Sequence, residues 1–277
     1  MNPLMNTMPV LGDVGLRVQD LNRSLDYYTR ILGLTLIEKT ETSASLGVNQ
    51  TPIIHLRANA SWNHPSKPYT GLYHIAILLP DEADLGQILY HFAREGYQID
   101  GAGDHLYSQA LYMHDPDGNG IEIYADRPMD TWNVHDDGTV ETDTQPVNLQ
   151  RLVDMVHVES WDGLPDGTIL GHMHLEVKDL KAHEAFYVNL LGYDIKTVWG
   201  NTALFISKNG YHHHIGANTW ERPVDTLPDD VTGLDYMTLY VDDLNHLEET
   251  LDGVKRIDDQ SITVRDPNGI TLILKQY

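Results

Sequence analysis

"LRVQDLNRSLDYYTRILG" (Leu16–Gly33) and "LEVKDLKAHEAFYVNLLG" (Leu175–Gly192) are two versions of one stretch, and their likeness decides the fold. At a constant offset of 159 residues, Leu16, Val18, Asp20, Leu21, Tyr28, Leu32 and Gly33 meet Leu175, Val177, Asp179, Leu180, Tyr187, Leu191 and Gly192. The same offset runs on into "HLRAN" (His55–Asn59) and "HIGAN" (His214–Asn218). A register kept over so many residues marks an internal repeat. Within each copy, a period-two strand leads to an aspartate placed to cap a helix. In the first copy Leu21, Leu25, Tyr28 and Leu32 fall on one helical face, and Gly33 supplies the stop.

A second pair of units is fainter. "GLYHIAILLPD" (Gly71–Asp81) pairs with "GLDYMTLYVDD" (Gly233–Asp243), and "DPDGNGIEIY" (Asp115–Tyr124) pairs with "DPNGITLILK" (Asp266–Lys275). The chain thus reads as four βαβββ modules, at about 10–60, 70–127, 168–222 and 232–277. They form an N-terminal half (8–127) and a C-terminal half (168–277), joined by a polar connector (128–167) with a short helix around Leu149 to Val156. "DPDGNG" reads as a turn, because no liganding glutamate follows at calcium-loop spacing.

Composition narrows the partners. Eighteen basic residues against 41 acidic ones leave a formal net charge of -23. Such a surface repels phosphate backbones and anionic lipids, so neither nucleic acid nor a membrane is an expected partner. With no cysteine in the chain, disulfides, thiolate metal sites and a cysteine nucleophile are excluded. Met1 to Val10 lacks the basic and apolar regions of a signal peptide, so the expected location is cytoplasmic. No nucleophile elbow or phosphate-binding glycine loop appears.

The four units, with their "HIAI" strand, "FY…LLG" helix and "DPDGNGIEIY" hairpin, resemble the vicinal oxygen chelate superfamily. That superfamily includes glyoxalase I, bleomycin- and fosfomycin-resistance proteins and extradiol catechol dioxygenases. The layout is most like catechol 2,3-dioxygenase-like proteins with two halves per chain. The resemblance implies an α+β fold in which paired modules form two cupped, mostly antiparallel half-barrel sheets. It also implies metal ligands on the first and last strand of a module.

Carried over position by position, the resemblance gives Asp13, His74, His172 and Tyr236 on the four first strands. On the last strands it gives His55, Glu122, His214 and Ile273. Sequential pairing of modules would gather Asp13, His55, His74 and Glu122 in one cup. Pairing of the middle modules would gather His74, Glu122, His172 and His214. We favour the middle pairing, because two histidines and a carboxylate are the ligand set of non-haem Fe(II) centres with open positions. His214 is then either a fourth ligand or an acid–base group.

The run His212–His213–His214 is read as strand, so His212 and His214 are expected to face the cup and His213 to point away. The same parity puts His174 and Glu176 beside His172. Tyr112, ten residues before Glu122, matches a tyrosine that the resemblance sets near the substrate. His105 is expected at a solvated turn by the mouth. The functional expectation is a metal-dependent extradiol dioxygenase, with Fe(II) as cofactor and Mn, Ni or Zn as alternatives. Its partners would be a small aromatic substrate, dioxygen and, as an open question, a second copy of the chain. The rivals are a glyoxalase-type isomerase using Ni or Zn, and a non-catalytic binder whose cups are lined by Trp62, Trp199 and Trp220.

Overall fold

A computed structural model describes residues 10–156 and 160–277. Residues 8 and 9 of the N-terminal half and 157–159 of the connector lie outside the described residues. The first module comprises β1 (Leu11–Val18), α1 (Leu21–Asp26), β2 (Thr35–Lys39), β3 (Ser43–Val48) and β4 (Thr51–Ala58). The second comprises β5 (Tyr69–Leu79), α2 (Glu82–Glu95), β6 (Gly101–Asp104), β7 (Ser108–His114) and β8 (Gly120–Asp126). The connector carries α3 (Leu149–Asp154). The third module has β9 (Ile169–Glu176), α4 (Leu180–Glu184), β10 (Asp194–Trp199), β11 (Ala203–Ser207) and β12 (Ile215–Asn218). After the two-residue β13 (Asp225–Thr226), the fourth has β14 (Gly233–Val241), α5 (Leu244–Thr250), β15 (Lys255–Asp258), β16 (Ser261–Arg265) and β17 (Thr271–Gln276).

All four module helices begin as the sequence predicts. Asp20, Asp81, Asp179 and Asp243 each accept hydrogen bonds from backbone N–H groups of the first turn, which have no partner inside the helix. The helices after Asp20 and Asp179 depart from the expected α-spacing, widening into π-helical turns at Tyr27–Ile31 and Ala185–Leu190. Those turns carry Tyr28 and Tyr187, whose buried hydroxyls donate to Asp115 at 2.8 Å and Asp266 at 3.2 Å. Both acceptors sit in Asp-Pro turns, where their other oxygen takes two backbone N–H groups. The tyrosine of an odd module is thereby tied to the hairpin turn of the next even one.

Module pairing is visible in the strand order. One sheet runs β15-β16-β17-β14-β1-β4-β3-β2, and the other runs β10-β11-β12-β9-β5-β8-β7-β6. The first therefore joins the outer modules through β1 and β14. The second joins the middle modules through antiparallel β5 and β9. On β5, Ile75, Ile77 and Leu79 enter the core shared by both sheets and the helices. Alternation sends His74, Ala76 and Leu78 to the opposite, cupped face. Helix α3 packs on α2 so closely that a Cβ on Gly86 would lie 2.2 Å from the Leu152 carbonyl oxygen. Among the described residues no helix is long and apolar enough to cross a membrane.

Candidate metal centre

Ala76 is the floor of the site. It is paired across the sheet with Glu122 of β8 on one side and His172 of β9 on the other. Directly paired residues project to the same face, and His74 shares that face two positions away. Because alanine has only a methyl group, the three longer side chains converge above it. Glu122 Oε2 lies 3.0 Å from His74 Nε2 and 3.3 Å from His172 Nε2. One ligand atom from each residue falls within 4.8 Å of the others. Ligand bonds of ~2.1 Å meeting at right angles put neighbouring ligand atoms about 3.0 Å apart. The carboxylate oxygen thus already has the spacing of an adjacent coordination position to each imidazole nitrogen.

The electrostatics suit a cation. Burial lowers the His172 imidazole to about 4, leaving it neutral with a lone pair to give. Burial alone would raise Glu122, but His172 and His74 outweigh it and hold the carboxylate well below its ordinary range. His172 Nδ1 is buried without a hydrogen-bond partner. Two imidazoles and an ionised carboxylate, all with little access to water, fit a divalent ion.

His214 does not join this group, and the reason is register. In the outer sheet, His55 pairs with Gly15. The residue equivalent to Gly15 in the repeat is His174, and its partner is Gly216. Strand β12 has slipped two residues from the alignment, so glycine occupies the place expected for His214. His214 lies before the strand, with Nδ1 2.7 Å from Ser207 Oγ and receiving the Lys208 N–H. A Cβ at Gly216 would crowd His174 and Phe205 at 3.1 and 3.2 Å.

The parity expected of the three histidines is also corrected, because 212–214 are not in a strand. His213 lines the cavity, with its ring centroid 4.1 Å from that of His172. His212 turns aside, stacking on Tyr107 at 4.1 Å and holding Asp126 at 3.0 Å. Each of the three takes a separate direction.

A cavity of about 320 Å³ opens over the cluster. Tyr112 and His105 lie on its wall and share a 2.6 Å hydrogen bond, so His105 is a cavity residue rather than only a solvated turn. His174 faces the cavity as expected, held by Asn218 at 3.0 Å. Glu176 instead borders a neighbouring groove. Trp199 and Trp220 line the cavity, whereas Trp62 lies elsewhere under the Arg57 guanidinium. Thr142 and Thr144 of the connector complete the wall. Their polar surroundings in the sequence carry no sign of that role.

The outer cup holds Asp13, His55 and Tyr236 at the corresponding positions, with Ile273 where the middle cup has Glu122. Asp13 meets His55 Nε2 at 2.8 Å, accepts from the Tyr236 hydroxyl at 3.1 Å and has Lys275 Nζ at 3.8 Å. Burial opposes ionisation of Asp13, but His55, Thr238 and Lys275 hold its carboxyl well below the usual range. A lysine beside the carboxylate supplies the positive charge that a metal would otherwise bring.

Known proteins share the fold. A sequence profile of the Glyoxalase/Bleomycin resistance protein/Dioxygenase superfamily matches residues 10–123. The chain is 40% identical to the catechol-2,3-dioxygenase of Bacillus subtilis (strain 168) over 93% of each protein. Among solved structures, glyoxalase I from Zea mays superposes with a TM-score of 0.58 at 17% identity, covering 96% of this chain and 92% of that one. The cppA protein from Streptococcus pneumoniae TIGR4 superposes with a TM-score of 0.60 at 11% identity, over 98% and 100%. These two share the fold. An identity of 40% sustained along nearly the whole chain goes further, and the chain belongs to the glyoxalase/bleomycin resistance protein/dioxygenase superfamily.

Proposed function

We propose that this protein is an extradiol ring-cleaving dioxygenase, holding Fe(II) on His74, Glu122 and His172 and opening a catechol-like aromatic with dioxygen. The observation that carries the reading is a two-histidine, one-carboxylate set with its free side toward an aromatic cavity. The name of the Bacillus subtilis relative, catechol-2,3-dioxygenase, supports the same chemistry. When bound, Fe(II) would supply a Lewis-acidic, redox-active centre for a chelating diol and dioxygen.

The chain's own residues orient the substrate and move its protons. Glu122 contributes a single negative charge, so a divalent ion held here would keep a net positive charge and favour the ionised diol. Tyr112 and His105, joined by their short hydrogen bond, present a donor to a substrate oxygen. His213, beside His172 on the wall, takes a diol proton and returns it to the opened product. The acid–base role, one of two expected of His214, passes to His213, because His213 lines the cavity and His214 lies off it, bonded to Ser207 and the Lys208 N–H. The aromatic walls limit water around these groups.

A four-ligand isomerase with Ni or Zn requires one more protein donor, and Gly216 stands at that position. The three-ligand reading is therefore preferred. Its test is anaerobic reconstitution with Fe(II), followed by catechol and oxygen. Oxygen uptake with a yellow ring-opened product is expected. Absence of uptake across a panel of diols would overturn the assignment.

A further inference from the structure

Arg17 and Glu176 stand at one position of the repeat, 159 residues apart, yet their charges are met differently. Each is paired across its sheet with a glycine, Arg17 with Gly233 and Glu176 with Gly71. Leu227 lies against both glycines, 2.8 Å from a Cβ built on Gly233 and 3.9 Å from one on Gly71. Arg17 finds partners there. Its guanidinium donates to the Pro228 and Leu234 carbonyls at 2.8 and 3.2 Å, with Asp235 3.9 Å away. Glu176 does not. Its Oε1 accepts the Glu221 N–H at 3.1 Å, while Oε2 is buried without a partner. The residue is only 3% exposed, so bulk water does little to replace the missing bond.

Glu176 lines a groove of about 300 Å³ that adjoins the metal cavity, with Tyr73 on the wall of each. Leu72, Leu227 and Leu234 give the groove an apolar side. The polar groups around Glu176 are already engaged. Asn218, its neighbour on β12, gives its amide to His174 and its oxygen to the Trp220 N–H. Asp117 takes the Gln19 N–H and the Arg23 guanidinium, and Lys67 is bonded to Asp225 at 2.5 Å. Lys178 and Arg222 are the basic residues nearest in sequence, and among the described residues neither forms an ion pair with Glu176 or Glu221. Burial, followed by the charges of Glu176 and Glu221, raises the Tyr73 hydroxyl, which places both carboxyls beside that ring. The groove therefore carries two acidic side chains with no cation of the chain to match them.

We infer that this groove binds a small molecule with a primary ammonium group on an apolar body, and that Glu176 Oε2 accepts from the ammonium. A divalent metal ion needs more donors. Among the described residues only His74, Glu122 and His172 bring three histidine or acidic side chains within 4.8 Å. A guanidinium prefers both oxygens of one carboxylate, and Oε1 is already taken. An anion would meet two carboxyls. An ammonium needs one free acceptor, gains from the Tyr73 ring beside it, and leaves its alkyl chain to the leucines. The inference is independent of the dioxygenase reading, because no proposed metal ligand takes part.

The test is isothermal titration calorimetry of the whole protein with hexylammonium, using 1-hexanol and hexanoate as neutral and anionic probes of matched length. At about pH 8 hexylammonium should bind about tenfold more tightly than either. Burial raises the Glu176 carboxyl to about 7, so its charge is largely present at about pH 8 and largely lost at about pH 6. Hexylammonium stays charged at both, and its affinity should fall about tenfold from the higher pH to the lower. Glu176→Gln keeps the side-chain size and should lose both the added affinity and its pH dependence. Trp199→Ala removes a ring that lines the metal cavity and not the groove, and should change neither. The inference is overturned if hexanol or hexanoate binds as tightly, or if hexylammonium shows no binding at about 10 mM. It is also overturned if the affinity is equal at the two pH values, or if Glu176→Gln binds like the parent protein. Loss of binding in Trp199→Ala would place the probe in the metal cavity and overturn it as well. Should Glu176→Gln fail to fold, the order of the three probes and the pH dependence in the parent protein decide.

Discussion

Replacing His172 with alanine removes one of three donors and leaves the cup otherwise intact, because its backbone partners are Ala76 and the strand core. Four-ligand zinc sites in small peptides contribute ~10–16 kcal/mol, so one ligand is worth about 3 kcal/mol. That is about a hundredfold in Kd. The geometry supports the full loss. Glu122 Oε2 is 3.0 and 3.3 Å from the two imidazoles, so His172 already stands beside the shared carboxylate. His214 lies off the cavity and outside the ligand group, so it does not substitute. The assay is competition with a chromophoric chelator, with metal content measured after desalting. His172→Ala should lose metal, while His214→Ala and Asp13→Ala should match the parent protein. Full retention in His172→Ala, or equal loss in Asp13→Ala, would refute the reasoning that the middle modules hold the ion.

Other outcomes follow from single contacts. Tyr112→Phe should keep the metal but lower kcat by on the order of a hundredfold, since it removes a hydroxyl shared with His105; unchanged kcat would exclude that role. Tyr28→Phe takes a donor from the buried Asp115 and should cost ~1–3 kcal/mol in urea unfolding. An unchanged midpoint would mean that the tie between modules is unimportant. Burial raises the Glu176 carboxyl from 4.5 to about 7. The folded protein then keeps a proton that the unfolded chain has lost. Its stabilising contribution is complete below pH 4.5 and disappears as pH rises through about 7. Glu176→Gln should reduce the stability decline between acidic and mildly alkaline pH by ~1 kcal/mol, allowing for water in the adjoining groove; parallel declines in the two proteins would contradict this.

Much of the architecture is local and therefore legible in the chain. Aspartates before helices and turn residues in Asp-Pro hairpins act over a few positions, so their patterns survive in one dimension. Repetition at a fixed offset exposes the modules, and homologous positions put His74, Glu122 and His172 among eight candidate ligand positions. The π-helical turns after α1 and α4 escape this reading, because they accompany bonds from Tyr28 and Tyr187 to aspartates far along the chain. Periodicity cannot register such a partner.

The alternatives that remained in the sequence were settled by contacts between strands. Asp13 and His172 occupy equivalent positions in their modules, yet β1 joins β14 while β9 joins β5. Only that choice separates an aspartate facing Lys275 from a histidine facing Glu122. His214 likewise aligns with His55 by counting, but a two-residue slip of β12 puts Gly216 opposite His174. Counting preserves order along the chain, whereas ligand geometry depends on hydrogen-bond register across it, and a slip of two keeps each side chain on its face while moving it along the strand by about 7 Å.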